Sequence, residues 1–368
     1  MNMPDVNTLL LSTTSTMGPV ERLWFGEQAS TFAPKSDALF MFIFWVSTFF
    51  FVLIVGLMTY FVFKYRRIPG VPQERSAAHN TPLELSWTFL PMLLLAVMFV
   101  WGFRDYMYMH VSPAGAEEIQ LKGRQWAWQA TYDNGASPTQ TTVVADMEVP
   151  IIPVPHGRPI RVLLDSEDVI HSFWVPDFRV KIDVMPYRYT SIWFEATGEL
   201  ETHIGPDGTE VQYKDHYLFC TEYCGDQHSQ MAAIIRAMPP SDYEAAKADM
   251  ANIWGTEENP VPLAEVGQIL ASQNACFSCH SNDGSPGTGP TWLGLYGTQE
   301  RVRVDGAMQE ITVDENYIRE SIYEPAAKLV DGYPNQMVSY QGQIDDRELG
   351  AIIAYIKSLN PGANGDAQ

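Results

Sequence analysis

Cys220-Thr-Glu-Tyr-Cys-Gly-Asp-Gln-His-Ser-Gln-Met231 sets two thiols, a carboxylate, an imidazole and a thioether within twelve residues, in the spacing C-x-E-x-C-x3-H-x2-M. Thiolate, imidazole and thioether together select a soft metal, and copper above the others. One Cys, one His and a weak Met would suffice for a single copper; a second Cys four residues away points to two thiolates bridging two ions. A pair of metals wants a second imidazole. His171, in Asp-Val-Ile-His-Ser-Phe-Trp-Val-Pro, lies at the end of an apolar strand upstream and can supply it. Two nearby thiols are also the raw material of a disulfide, and with two imidazoles of a structural zinc site. Neither alternative uses Met231 or Glu222.

Outward from this loop the chain divides sharply. Residues 1–36 form a mixed, polar segment expected outside the cytoplasm, without a typical signal peptide. Residues 37–104 hold two apolar runs, Ala38 to Phe63 and Leu85 to Phe103, each long enough to cross a bilayer core of about 20 helical residues. The loop between them carries Lys64, Arg66, Arg67 and Arg75 against Glu74 alone. The positive-inside rule places that loop in the cytoplasm and both termini outside.

From about residue 105 to 240 the period changes from helical to alternating: Ile119-Gln-Leu-Lys, Trp126 to Tyr132, Thr142-Val-Val-Ala, Ile160 to Leu164, Tyr189 to Phe194 and Ala232 to Arg236. Short strands separated by Pro, Gly, Asn and Asp predict an antiparallel sandwich or barrel. Residues 198–214, with a Gly205-Pro-Asp-Gly208 turn, read as an extra hairpin. Residues 241–262 read as a linker, opened by a short helix with Ser241 and Glu244 as a capping box.

Residues 263–368 carry Cys276-Phe-Ser-Cys279-His280, the pattern of covalent haem attachment: two thioether bonds fix the porphyrin and the adjacent imidazole ligates the iron. A helix leads into the motif from Leu263, and an amphipathic helix closes the domain with Leu349, Ile352, Ile353, Ile356 and Leu359 on one face. A soft sixth ligand would raise the haem potential; Met308, in a hairpin-like stretch, and Met337, in the loop before the last helix, are the candidates. All four cysteines are thereby assigned.

The formal charge of −21 is confined to the region after the apolar runs. Such a surface attracts basic partners and repels nucleic acid. No nucleophile triad, phosphate loop or dinucleotide fingerprint is present, so the chain gathers redox metals rather than acid-base groups.

The 220–231 loop together with His171 in its HSFWVP context resembles the CuA site of cytochrome c oxidase subunit II, and the last hundred residues resemble a small class I cytochrome c. With the apolar hairpin, the order is that of a caa3-type subunit II with a fused C-terminal cytochrome c. The resemblance implies a multidomain fold: a two-helix transmembrane hairpin, a cupredoxin-like Greek-key β-barrel and an all-α class I cytochrome c domain. It implies a binuclear copper (CuA) held by His171, Cys220, Cys224, His228, Met231 and the carbonyl of Glu222, with the Glu222 side chain reaching a magnesium shared with subunit I. It further implies haem c on Cys276, Cys279 and His280, with Pro290 steadying the imidazole and Met337 as the sixth ligand. Trp126, in Gly123-Arg-Gln-Trp-Ala-Trp128, matches the residue of electron entry. Glu84, in Leu-Glu84-Leu-Ser-Trp-Thr-Phe-Leu-Pro91, matches the mouth of a proton channel. The expected role is electron transfer from a periplasmic c-type cytochrome, another periplasmic donor or a docked quinol-oxidising complex, through haem c and CuA, to subunit I of an oxygen-reducing, proton-translocating oxidase in the bacterial plasma membrane. Two other readings share these motifs: the CuA subunit of a different haem-copper enzyme such as a nitric oxide reductase, and a membrane-anchored copper-binding or assembly protein.

Overall fold

The computed structural model of the 368-residue chain describes residues 18–72, 77–144, 147–205 and 208–360. Glu74 and Arg75 of the basic loop, and the centre of the 205–208 turn, lie outside them.

After a single helical turn at Glu21–Trp24 come two long helices, α1 (Ala33–Lys64) and α2 (Thr81–His110). Both are apolar along most of their length and long enough to cross a membrane. They touch through Phe42 and Trp101, whose rings lie 5.4 Å apart. Asn80 caps α2 by accepting from the Leu83 amide, and Glu84 in the first turn accepts from the Asn80 amide at 3.0 Å. The helix continues past Arg104, where the apolar run ends, and stops only at His110.

The β domain follows with strands β1 (Glu117–Arg124), β2 (Ala127–Thr131), β3 (Thr141–Val144), β4 (Met147–Pro155), β5 (Pro159–Ser166), β6 (His171–Val175), β7 (Val180–Val184), β8 (Thr190–Glu195), β9 (Glu201–Ile204), β10 (Glu210–Cys220) and β11 (Ala232–Met238). One sheet runs β2-β1-β5-β8; the other runs β3-β4-β11-β10-β6-β7, with β9 paired to β10 as the expected extra hairpin. Most neighbours are antiparallel, but β1 pairs with β5 and β4 with β11 in parallel. Strand β5 shows why the sheets close on each other: Ile160, Val162 and Leu164 alternate inward with the more exposed Pro159, Arg161 and Leu163. They meet Phe173, Val180, Leu218 and Ile235 of the other sheet in one core.

The membrane hairpin and the β domain are knitted together. Phe32 just before α1 and Tyr108 in α2 pack on Trp193 of β8, with ring centroids 4.6 and 5.4 Å away, and the Trp193 indole donates to the Tyr108 carbonyl at 3.0 Å. Asp37 of α1, 2 % exposed, takes a two-pronged ion pair from Arg179, with contacts of 2.8 and 3.0 Å.

The linker helix α3 (Pro240–Met250) begins at paired prolines and carries no side-chain cap. The capping box expected at Ser241 and Glu244 does not form, because Pro239 and Pro240 already fix the entry and leave Ser241 inside the first turn. Its hydroxyl turns instead to Asp242.

The C-terminal domain packs α4 (Leu263–Gln273), α5 (Glu315–Tyr323) and α6 (Asp346–Ser358) around Val266, Leu270, Ile318, Ile322, Leu349, Ile352 and Ile356. Helix α6 starts with the full capping box of Asp345 and Glu348. The hairpin expected around Met308 forms as β12 (Gln299–Val304) and β13 (Ala307–Thr312), and a short β14 (Leu329–Val330) extends it to three strands. The domain is thus helical with one small sheet added at its side.

Candidate metal centre and haem site

Strands β6 and β10 run antiparallel side by side, with Phe173 opposite Cys220, and so bring His171 and Cys220 to the same end of the sandwich. The chain then loops through 221–231 and returns as β11, the Cys220 amide donating to the Met231 carbonyl at 3.1 Å. All five side chains of the expected set converge here. Cys220 Sγ lies 3.8 Å from Cys224 Sγ, 3.9 Å from His171 Nδ1 and 3.2 Å from the Glu222 carbonyl oxygen. Cys224 Sγ lies 3.5 Å from His228 Nδ1 and 3.9 Å from Met231 Sδ. His171 and Met231 are 0 and 1 % exposed. Each imidazole faces a different thiol with its Nδ1, an arrangement that could hold two metals bridged by the thiols. Cys220 and Cys224 are free thiols too far apart for an S–S bond, so the disulfide alternative does not describe this loop.

The surroundings prepare the donors. Asp168 accepts from His171 Nε2 at 2.9 Å, which fixes the tautomer and leaves Nδ1 for a metal. Burial disfavours the Asp168 carboxylate, but the hydrogen bonds from His171 and from the Gln125 and Val169 amides outweigh it and lower its pKa. Burial also works against the Cys220 thiolate, yet in the metal-free chain a His171 ring protonated on both nitrogens, its pKa raised against burial by Asp168 and Cys220, joins the neighbouring backbone bonds in bringing the Cys220 pKa down to about 7. Burial and the neighbouring Cys220 charge push Cys224 up to about 12. Gly123 makes room for the buried imidazole: a Cβ there would stand 2.9 Å from His171 Cδ2.

Cys276, Cys279, His280 and Met337 line one cavity of about 550 Å³. His280 Nδ1 donates to the Pro290 carbonyl at 2.8 Å, which leaves Nε2 free to ligate a metal. Burial lowers the ring's pKa, against the raising effect of that bond. Gly289 lets the loop close on the imidazole, since a Cβ there would stand 2.8 Å from His280 Cε1. Burial raises the Cys276 thiol to about 12. Paired free thiols, a half-buried imidazole with one oriented nitrogen and a thioether on the same cavity wall fit a covalently bound haem. Met308 sits on the exposed β13, 39 % exposed, and does not line this cavity.

The two sites face each other. Gln125, Trp126, Gly225 and Asp226 from the β domain form part of the same cavity wall as Cys276 and Cys279. Trp126 Nε1 and Gln125 Nε2 both donate to the Cys224 carbonyl, at 3.2 and 2.6 Å. The domains are further joined by Gln129 to the Gln273 carbonyl at 2.8 Å, Gln273 to the Ser137 carbonyl at 3.1 Å, and Gln227 to the Thr288 hydroxyl. Asp168, Gln125 and Gly123 were not among the residues singled out in the sequence. Only their nearness to His171 and Trp126 in the chain could have drawn attention to them. Glu222 is exposed at the loop's outer edge, and Glu84 is half-buried at the start of α2, remote in sequence from either site.

Comparison with known families agrees with this division. The family models for the transmembrane and periplasmic domains of "Cytochrome C oxidase subunit II" match residues 19–104 and 118–238, more than half of the chain between them. The chain belongs to the cytochrome c oxidase subunit II family. A "Cytochrome c" model matches residues 264–360, so this subunit II carries a fused cytochrome c domain, the caa3-like arrangement. Cytochrome c oxidase subunit 2 of Alkalihalophilus pseudofirmus is 29% identical over 321 residues, which cover 84% of this chain and 83% of that protein. The Synechocystis protein of the same name is 27% identical over 330 residues, 73% and 88% of the two chains. Among solved structures, the periplasmic domain of subunit II from Bradyrhizobium japonicum is 28% identical and covers 38% of this chain and 99% of its own, with a TM-score of 0.31. Subunit II is thus membrane-anchored by two apolar helices, and its β and cytochrome c modules imply copper and haem c.

Proposed function

We propose that this subunit II is the electron-entry subunit of a haem-copper oxygen reductase, taking electrons at the cytochrome domain and delivering them through a binuclear CuA centre to subunit I. The observation that carries the proposal is the shared wall: Trp126 borders the cavity holding Cys276 and Cys279, and its indole hydrogen-bonds the Cys224 carbonyl. When bound, haem c and the copper pair supply one-electron chemistry with little rearrangement. The chain's own residues do the rest. His171 and Cys220, at the ends of β6 and β10, together with Cys224, His228, Met231 and the Glu222 carbonyl from the loop between β10 and β11, would hold the copper. Cys276, Cys279, His280 and Met337 hold the haem, with Pro290 orienting the imidazole. Trp126 shortens the route from one to the other.

Three finer assignments belong to the same reading. The exposed Glu222 carboxylate reaches a magnesium at the boundary with subunit I. Glu84, at the end of α2 nearest the basic loop, marks a proton entrance; unchanged turnover and proton uptake in Glu84→Gln would remove that role. The basic loop faces the cytoplasm and both redox domains face the periplasm, where a c-type cytochrome, another periplasmic donor or a quinol-oxidising complex delivers electrons to an acidic surface.

The experiment is metal analysis with electron paramagnetic resonance on the full chain in detergent after haem maturation. Two coppers sharing one unpaired electron, beside one low-spin haem, are expected. Zinc, or a single copper with one-nucleus hyperfine splitting, overturns the CuA assignment.

A further inference from the structure

Arg124 ends β1 in the copper domain, yet it lines the cavity of the cytochrome domain and is only 5 % exposed. A buried guanidinium must be compensated, and the compensation here is sparse. Nη2 donates to the Tyr340 hydroxyl at 2.5 Å, and the guanidinium carbon lies 4.8 Å from the Tyr340 ring centroid. Nη1 lies 3.7 Å from a Glu167 carboxylate that Lys122 already engages at 3.0 Å. The Tyr340 hydroxyl donates in turn to the Asn274 carbonyl at 2.8 Å, just ahead of Cys276. A chain of hydrogen bonds therefore runs from a strand of one domain to the start of the haem-attachment motif of the other. The positive charge also reaches the thiols: burial raises both Cys276 and Cys279, and Arg124 works against it at each.

We propose that Arg124 is a haem-site residue supplied by the copper domain, a positioning residue that latches the cytochrome domain through Tyr340 and holds a fixed positive charge beside the haem's attachment edge. The proposal rests on the haem c reading above. A fixed cation in a poorly screened site favours the state with one more electron, so the docked haem has a higher reduction potential than the undocked one. By reciprocity, reduction then strengthens docking. The latch closes most firmly when there is an electron to pass.

The test uses the full chain, haem-matured and copper-loaded, with Arg124→Gln, Arg124→Lys and Tyr340→Phe. Redox titration reads the haem potential, and hydrogen exchange reads the amides at 272–276. Arg124→Gln is expected to lower the potential and speed exchange. Arg124→Lys is expected to keep the potential near that of the unmutated chain while exchange quickens, because the charge remains and the planar donor is lost. Tyr340→Phe is expected to speed exchange and lower the potential part of the way. An unchanged potential in Arg124→Gln with both cofactors bound overturns the charge role, and unchanged exchange overturns the latch. If Arg124→Gln fails to take up haem, a fall of potential in Arg124→Lys overturns the proposal and its retention with faster exchange supports it. Absence of covalent haem from the unmutated chain would instead sink the haem reading itself.

Discussion

At the scale of single residues, the metal loop separates two thiols that look alike in sequence. Hydrogen bonds from His171 and the backbone favour the Cys220 thiolate, and that charge then suppresses ionisation of Cys224. Such a pair loses its protons in two well-separated steps. In the metal-free chain before haem attachment, thiolate ultraviolet absorbance is expected to rise by one thiolate around pH 7. A second should appear only at far more alkaline pH, since Cys276 and Cys279 are raised as well. Two thiolates appearing together near neutrality would contradict this. Asp168 is a comparable case. Its carboxylate orients His171, so Asp168→Asn is expected to weaken copper binding by about 10- to 100-fold, the usual cost of losing such a partner, as competition with a chelator would measure. In the cytochrome domain, Met337→Ala is expected to abolish the sulfur-to-iron charge-transfer band, and Met308→Ala to leave it intact.

At the scale of elements, two contacts carry more than their size suggests. Helices α4 and α6 cross at Gly267, where a Cβ would stand 1.9 Å from the Ala351 carbonyl oxygen. Backbone cannot yield as a side-chain tip does, so Gly267→Ala is expected to cost at least the roughly 1–3 kcal/mol typical of overpacking, read as loss of the haem band on heating. The Asp37–Arg179 pair is buried at 2 and 11 % side-chain exposure. Removing one partner strands the other charge, at about 3–5 kcal/mol. Arg179→Gln alone is therefore expected to destabilise the chain more than Arg179→Gln combined with Asp37→Asn. Thermal unfolding in detergent measures both. These elements also show what a sequence discloses. The copper loop is legible because all its candidate ligands except His171 fall within twelve residues of the chain, and α6 because its box and apolar face agree. Strand β4 is not, because Pro150, Pro153 and Pro155 argue against a strand; it is tolerated because β3 only begins opposite Pro150, leaving the last prolines with only β11 as a strand neighbour. Arg124 was illegible for a different reason. A lone arginine at the end of a strand reads as surface, and only the packing of the second domain buries it.

At the scale of the whole molecule, the fused cytochrome turns an encounter into a fixed contact. A short tether alone gives an effective concentration of about a millimolar, and the interdomain hydrogen bonds hold the domains closer still. Electron transfer from haem to copper is accordingly expected to be insensitive to ionic strength after flash reduction. Reduction by a basic external cytochrome should slow as salt screens the acidic surface of a chain with formal charge −21. The reverse pattern would mean that the domains are not held together in solution. One feature of the membrane region bears on assembly. Helix α2 passes without a break from the apolar span to His110, beneath the β domain it supports. The helix thus acts as a threaded shaft that sets azimuth and height together. One alanine inserted after Arg104 would turn everything above it by about 100° and raise it by about 1.5 Å; seven would bring the azimuth back to within roughly 20° at about 10 Å extra height. Helix α1 keeps its own grip through Asp37, so neither insertion satisfies both shafts unless α1 is lengthened to match. The copper centre's bearing toward its partner subunit is thus a matter of helical phase, counted in residues far from any metal ligand.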